Sequence, residues 1–134
     1  MKARKILVVD DDKIVLESCR RILEAEGYRV FLVESAREAI DLLEEQYIDL
    51  MLMDVKMPQQ DGVYILDKIR EKWSLDIWPE LPVLVMSGYP TPATIRELKE
   101  SGARDFISKP FTPDELLDAI TTILKRRENE SAGN

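Results

Sequence analysis

The sequence predicts an α/β fold in which helices cover both faces of a five-stranded parallel sheet. Short apolar runs alternate with amphipathic helical patterns along the chain. Three of these runs, at 6–10, 50–54 and 83–87, are almost continuously apolar, which is typical of parallel strands covered on both sides. Five β–α units in strict alternation imply right-handed crossovers and therefore a doubly wound sheet.

The boundaries of the elements follow from the period of the apolar residues and from capping residues. The predicted strands, β1 to β5, are Ile6–Asp10, Arg29–Val33, Leu50–Asp54, Val83–Ser87 and Asp105–Ser108. The predicted helices, α1 to α5, are Lys13–Glu26, Ala36–Glu45, Val63–Trp73, Ala93–Ser101 and Asp114–Lys125. We expect Asp12 and Ser35 to cap the first two helices, and Gly27 and Gly102 to end α1 and α4 in a left-handed conformation.

Length and composition limit the class of protein. The 134 residues suit one domain, predicted at 1–126 and followed by a polar tail at 127–134. A net charge of −7 argues against electrostatic binding of nucleic acid, and the absence of histidine excludes histidine triads and a phosphohistidine in this chain. No apolar run approaches a membrane span, so we expect a soluble, cytoplasmic protein. Cys19 lies on an apolar helical stripe and is interpreted as a core residue.

The carboxyl ends of the predicted strands carry the residues that point to a function. β1 ends at Asp10 and is followed by Asp11, β3 ends at Asp54, β4 ends at Ser87, and β5 leads into Lys109. Because ligands of open α/β sheets bind at this edge, these side chains are expected to converge. A single aspartate here would be better explained as a turn or cap residue, but that explanation does not account for the whole set.

A hard cation and a phosphoryl group are the ligands that suit such a cluster. Neighbouring carboxylates repel one another unless a cation lies between them, and an all-oxygen site favours Mg²⁺. A phosphoryl oxygen would be a further ligand, with Lys109 as a second positive charge and Ser87 as a hydrogen-bond donor. An aspartate in this setting can act as a nucleophile and form an aspartyl phosphate.

Four segments of the chain resemble the receiver domain of two-component response regulators, over roughly residues 5–125. The segments are Ile6–Asp11, Met53–Gly62, Val85–Gly88 and Phe106–Phe111. Each is a weak signal alone, but the four in this order and at this spacing are highly specific. The resemblance implies a flavodoxin-like (βα)5 receiver fold with the strand order 2-1-3-4-5.

The resemblance also implies a role for each site residue. Asp54 matches the phosphoacceptor, Asp11 the acid that binds Mg²⁺ directly, and Asp10 the acid that acts largely through water. The backbone carbonyl of Lys56 would be a further metal ligand. Lys109 matches the lysine that pairs with the acceptor carboxylate and then with the phosphoryl group, and its bond to the following proline would be cis.

A conformational switch and a phosphoryl lifetime are implied in the same way. Ser87 and Phe106 match the switch pair, in which the hydroxyl moves toward the phosphoryl group and the aromatic ring turns inward. Phe106 lacks the hydroxyl of the frequent tyrosine, so its outward position loses one anchor. Lys56 and Tyr89 flank the path of the hydrolytic water, and the bulk of Tyr89 predicts slow self-dephosphorylation.

The resulting prediction is a phosphorylatable signalling domain rather than an enzyme. Its expected donor is a histidine kinase or a phosphotransfer protein, and its expected output surface, for a downstream partner or a homodimer, is the α4-β5-α5 face. Two alternatives stay open. One is a receiver-like interaction module that never carries phosphate. The other is a phosphatase of the haloacid-dehalogenase type, whose D-x-D pattern Asp10 and Asp12 imitate.

Overall fold

A computed structural model describes residues 3–54, 61–75, 80–88, 91–100 and 102–132 of the chain. Strands and helices alternate throughout these ranges. The strands are β1 (Lys5–Val9), β2 (Arg29–Val33), β3 (Leu50–Asp54), β4 (Val83–Ser87) and β5 (Asp105–Ser108). The helices are α1 (Lys13–Ala25), α2 (Ala36–Glu45), α3 (Asp61–Ser74), α4 (Pro92–Glu100) and α5 (Pro113–Ala132).

The strands form one sheet in the order β2-β1-β3-β4-β5, and every neighbouring pair is parallel. The chain order reverses beside β1, because β2 lies on one side of that strand and β3 on the other. The doubly wound fold and the strand order predicted from the sequence are therefore confirmed. This topology creates a crevice at the carboxyl ends of β1 and β3.

Two apolar layers, one on each face of the sheet, hold the fold together. Alternate residues of each strand point to opposite faces, so Leu7 and Val9 pack with α2, α3 and α4, whereas Ile6 and Val8 pack with α1 and α5. β3 and β4 are buried along their whole length. Cys19 is fully buried on the α1 side, and burial raises its pKa to about 11, so it is a neutral core thiol as predicted.

The predicted capping residues lie at the ends of α1, α2 and α4. Asp12 accepts a hydrogen bond from the backbone N–H of Ile14, and Ser35 caps α2 in the same manner. Gly27 and Gly102 follow α1 and α4 with φ angles of +91° and +112°. Such a backbone conformation is strained for residues that carry a Cβ atom. No helix among the described residues is both long and apolar enough to cross a membrane.

The last helix is longer than predicted. α5 ends at Ala132, whereas the sequence predicted its end at Lys125. The predicted end was too early because the apolar stripe of the helix stops there. Arg127 continues the attachment by polar contacts: it donates hydrogen bonds to the carbonyl of Asp49 at 2.7 Å and to the hydroxyl of Tyr47 at 2.6 Å. The side chain of Arg4 also pairs with Glu128. The domain boundary at 126 stays a prediction, although these contacts tie 127 and 128 to the body of the domain.

Removal of the Arg127 contacts should destabilise the domain. We expect Arg127→Gln to lower the free energy of unfolding by about 1 kcal/mol, because hydrogen bonds to a guanidinium are lost. Arg126→Gln, at an exposed neighbouring position, is the control and should change it by less than about 0.5 kcal/mol. Urea denaturation measures both. Equal losses in the two variants would show that the Arg127 contacts do not hold the end of α5.

Candidate phosphoryl site

The register of the sheet places the predicted site residues at one edge. Val9 is level with Met53 in the parallel pairing, so the next residues along, Asp10 and Asp54, lie side by side. Ser87 ends the adjacent strand β4. Asp10 itself lies one residue beyond the end of β1, instead of inside the strand as predicted. Local hydrogen bonding explains the difference, because the Asp10 carboxylate accepts the N–H of Asp12 at 2.9 Å in the turn to α1.

Lys109 lies between two buried carboxylates. Its Nζ atom is 3.3 Å from Oδ2 of Asp10 and 3.2 Å from Oδ2 of Asp54. Asp10 and Asp54 are only 0% and 2% exposed, so both charges have little access to water. Removal of the lysine would cost about 3–5 kcal/mol, since both buried carboxylates would be left without a compensating charge. Lys109 therefore supplies the positive charge that allows two carboxylates to be buried side by side at this edge of the sheet.

The backbone around Lys109 fixes where its side chain begins. Its N–H donates to the carbonyl of Ser87 at 2.7 Å, which continues the β4–β5 pairing by one residue. The Lys109–Pro110 peptide bond is cis, as the resemblance implied. Lys109 is thus held at the end of β4 and β5 while its side chain reaches across to β1 and β3.

Three carboxylates at this edge have the arrangement of a metal site. Oxygen atoms of Asp10, Asp11 and Asp54 all lie within 4.8 Å of one another. Asp11 is exposed, whereas the other two are buried. A divalent cation with oxygen ligands fits this donor set, because it would offset the repulsion and still take ligands from the solvent side. Lys56, the predicted backbone ligand, lies outside the described residues, as does Tyr89.

The ionisation of the cluster reflects both burial and charge. Burial raises the pKa of Asp10, and the Asp54 carboxylate adds to the rise, while the N–H of Asp12 and the ammonium of Lys109 oppose it. Burial lowers the pKa of Lys109, but the charges of Asp54 and Asp10 outweigh burial, so that its pKa is raised. Lys109 therefore carries a positive charge at neutral pH, and a second cation beside Asp10 would favour the ionised form of that carboxyl.

The two residues of the predicted switch occupy different environments. Ser87 is buried at the end of β4. Phe106 lies on β5 opposite Val85, packs against the core beneath α3 and α4, and is partly exposed. The ring also has the ammonium of Lys99 over it, at 5.7 Å from the centroid. The sequence analysis did not detect this contact, because the pair is brought together only by the turn between α4 and β5.

A cavity beside the site is a second feature that sequence reasoning missed. It has a volume of about 640 Å³ and lies between α1 and the segment after β5. Its lining consists of Ile14, Val15, Ser18, Cys19, Gly88, Lys109, Pro110 and Phe111. Ile14 is 78% exposed, which is unusual for an isoleucine. Ile14 lies in the first turn of α1, two residues after Asp12, and the sequence analysis gave it no role beyond that predicted helix.

The fold and this set of side chains define a class of protein, the doubly wound α/β domains with an acidic crevice and a lysine at the carboxyl edge of the sheet. Comparison with known families gives the same class. Residues 6–121 match the family model of the response regulator receiver domain. The chain belongs to this family.

Known relatives and solved structures agree with that assignment. The chain is 37% identical over 122 residues to the response regulator MprA of Mycolicibacterium vanbaalenii. This alignment covers 91% of the chain and 51% of that protein. The MprA protein of Mycobacterium tuberculosis is 35% identical, with 96% and 54% covered. The chain therefore spans about half the length of these relatives.

Solved receiver domains have the same fold. A CheY-like receiver domain protein from Methanospirillum hungatei superimposes with a TM-score of 0.85 at 32% identity, covering 96% of this chain and 99% of that one. The beryllofluoride-activated NtrC4 receiver domain dimer gives a TM-score of 0.80 at 32% identity, with 91% and 97% covered.

The raised pKa of Asp10 predicts a specific change of stability with pH when a chelator is present. Because the folded pKa lies above the unfolded one, the ionised carboxylate destabilises the fold at neutral pH, and this penalty fades as the pH falls through both values. We expect Asp10→Asn to raise the melting temperature by a few degrees at pH 7 and by less at pH 4. Asparagine keeps an oxygen that can accept the N–H of Asp12.

Differential scanning calorimetry in EDTA measures this effect. Asp118→Asn, which removes an exposed carboxylate of α5, is the control and should leave the melting temperature within about a degree. The explanation from the raised pKa of Asp10 would be contradicted if Asp10→Asn melted below the wild type at pH 7. It would also be contradicted if the gain in melting temperature over the wild type grew toward pH 4.

Proposed function

We propose that this chain accepts a phosphoryl group on Asp54 in a Mg²⁺-dependent reaction and signals through the change of conformation that follows. The observation that carries the proposal is the position of the Lys109 ammonium, in contact with both the Asp54 and the Asp10 carboxylates. A lysine held there can pair with the acceptor before transfer and with a phosphoryl oxygen after it. Family membership supports the same chemistry.

The transfer needs no acid–base group from this chain. A carboxylate oxygen of Asp54 attacks the phosphorus of a phosphohistidine on the donor, and a P–O bond forms as the P–N bond breaks. The electron pair stays on the imidazole nitrogen of the donor, which then takes a proton from solvent. The role of this domain is to position the nucleophile and to supply positive charge to the transferring group.

Asp10 and Asp11 would hold the metal together with Asp54, and the backbone carbonyl of Lys56 is the further proposed ligand. When bound, Mg²⁺ supplies charge neutralisation for the phosphoryl oxygens and for the crowded carboxylates. The residues of the chain keep this cluster ready: the turn to α1 fixes Asp10 through the N–H of Asp12, and Lys109 fixes Asp54.

Signalling follows from a change at Ser87 and Phe106. The buried Ser87 hydroxyl is the proposed donor to a phosphoryl oxygen, and the partly exposed Phe106 ring turns inward when the serine has moved. The phosphoryl group needs to supply only a few kcal/mol of differential interaction to shift such a two-state element. The α4-β5-α5 face, which includes the strand of Phe106, is the proposed surface for a downstream partner or a second copy.

The phosphatase alternative fits the side chains less well. It would need Asp10 as the nucleophile and Asp12 as a mobile acid–base group. Asp12 caps α1 through the N–H of Ile14, and Asp10 is committed to the N–H of Asp12 and to Lys109. A receiver-like module without phosphate would use the ion pair between Lys109 and Asp54 for stability only, which leaves its place at the open edge of the sheet unexplained. Slow loss of phosphate, through the shielding by Tyr89, stays a prediction.

The apolar cavity beside the site supports a protein as the phosphoryl donor. Asp54 is too buried to be reached except at this edge of the sheet, and Ile14 stands exposed where a donor must approach. A histidine kinase or phosphotransfer protein that presents its phosphohistidine here would cover the cavity with apolar surface. Because a kinase of this type is loaded from ATP, the cytoplasm is the compartment that we propose.

Phosphorylation by a small donor tests the acceptor directly. After incubation with acetyl phosphate and Mg²⁺, we expect an intact mass larger by one phosphoryl group, and no adduct in Asp54→Asn or in excess EDTA. Asp49→Asn, outside the site, is the matched control and should keep the adduct. An adduct that survives in Asp54→Asn would contradict the proposed acceptor.

A protein donor should depend on the apolar cavity, whereas acetyl phosphate should not. The donor is a purified histidine kinase, chosen from a panel as the one that phosphorylates the wild type fastest. We expect Ile14→Ser to slow transfer from this kinase about tenfold, because an apolar contact is worth about 1–2 kcal/mol. Phosphorylation by acetyl phosphate should stay within about twofold. Leu75→Ser, at an apolar residue that is 61% exposed elsewhere, is the control. Equal slowing by both variants would argue against docking at this cavity.

A further inference from the structure

The side chain of Phe106 is held from outside by a lysine of the neighbouring helix. Lys99, in the last turn of α4, places its ammonium 5.7 Å from the centroid of the Phe106 ring. The ring also packs against the core beneath α3 and α4, and it is partly exposed. It therefore contacts both an apolar layer and a cation.

The turn from α4 to β5 fixes this pair. The carbonyl of Lys99 accepts the N–H of Gly102 at 3.1 Å, and the carbonyl of Leu98 accepts the N–H of Ala103 at 2.9 Å. Gly102 reverses the chain with its positive φ angle. These bonds set the start of the Lys99 side chain relative to the strand that carries Phe106. The backbone of the turn therefore holds the two residues close enough for the contact to form.

A lysine can replace the anchor that a phenylalanine lacks. Phe106 has no hydroxyl with which to form a hydrogen bond in the outward position. The face of its ring is negative, however, and attracts a cation at this distance. A partly exposed pair of this kind changes an equilibrium by about two- to fivefold. The free energy of this cation–ring contact is small, but it stabilises the outward position of the ring and not the inward one.

We propose that Lys99 is the resting-state anchor of the switch: its ammonium stabilises Phe106 in the outward position and so lowers the readiness of the domain to activate. This inference rests on the proposed function, because the inward position belongs to the phosphorylated state. An inward turn removes the ring from the ammonium, so the contact opposes activation and is lost when activation occurs. Lys99 thereby becomes a residue that sets the threshold of the switch without touching the phosphoryl site.

Fluorine NMR of Phe106 tests the anchor. The chain contains three phenylalanines, and the resonance of Phe106 in 4-fluorophenylalanine-labelled protein is assigned by its loss in Phe106→Leu. Beryllofluoride with Mg²⁺ serves as the phosphoryl stand-in. We expect Lys99→Met to raise the ratio of inward to outward ring about two- to fivefold without beryllofluoride and to lower the midpoint of the beryllofluoride titration by the same factor.

Matched variants separate charge from packing. Lys99→Arg keeps a cation over the ring and should behave as the wild type, and Lys125→Met removes an exposed lysine of α5 and should have no effect. A Lys99→Met resonance and midpoint equal to those of the wild type would overturn the proposal, as would equal changes in Lys99→Met and Lys99→Arg.

The comparison without beryllofluoride tests the anchor independently of the phosphoryl site. Failure of the wild type to bind beryllofluoride with Mg²⁺ would instead contradict the proposed function, and the shift of the Phe106 resonance in Lys99→Met would still decide whether Lys99 holds the ring.

Discussion

The ion pairs of Lys109 with Asp10 and Asp54 are the interaction on which the rest of this site depends. Two carboxylates that are almost fully buried would otherwise repel each other and take up protons. The lysine lies within 3.3 Å of both and is itself fixed by the bond from its N–H to the carbonyl of Ser87. Asp10 and the proposed acceptor Asp54 can therefore lie side by side, next to a cation, inside a crevice that excludes most water.

This arrangement connects the chemistry of the site to the rest of the domain through one short segment. β5 carries Phe106, and the residues directly after it carry Lys109 and the wall of the apolar cavity. Ser87, on the adjacent strand, binds the backbone of Lys109 and is the proposed sensor of phosphate. The proposed donor surface, acceptor and switch thus meet near the carboxyl ends of β3, β4 and β5. A local change of charge at Asp54 is well placed to bias the ring of Phe106 and its contact with Lys99.

The sequence was sufficient to predict the features that depend on periodicity and topology. Apolar runs, helix caps and alternation gave the sheet, and the rule that ligands bind at the carboxyl ends of strands gathered Asp10, Asp11, Asp54 and Lys109 into one site. Features that depend on side-chain reach were missed. Arg127 bonds to a carbonyl 78 residues earlier in the chain, and Lys99 finds Phe106 across a turn, so neither contact leaves a periodic signal. The exposure of Ile14 was hidden because it lies within an amphipathic pattern.

Chemical trapping of the phosphorylated residue tests the central claim most directly. Borohydride reduces an aspartyl phosphate to homoserine, whose position is found by mass spectrometry of peptides from protein treated with acetyl phosphate and Mg²⁺. The account predicts homoserine at position 54 and its absence when Mg²⁺ is chelated. Homoserine at position 10 would contradict the account in favour of phosphatase-type chemistry. Absence of homoserine from a sample that carries the phosphoryl mass would show that the phosphate is not on a carboxylate.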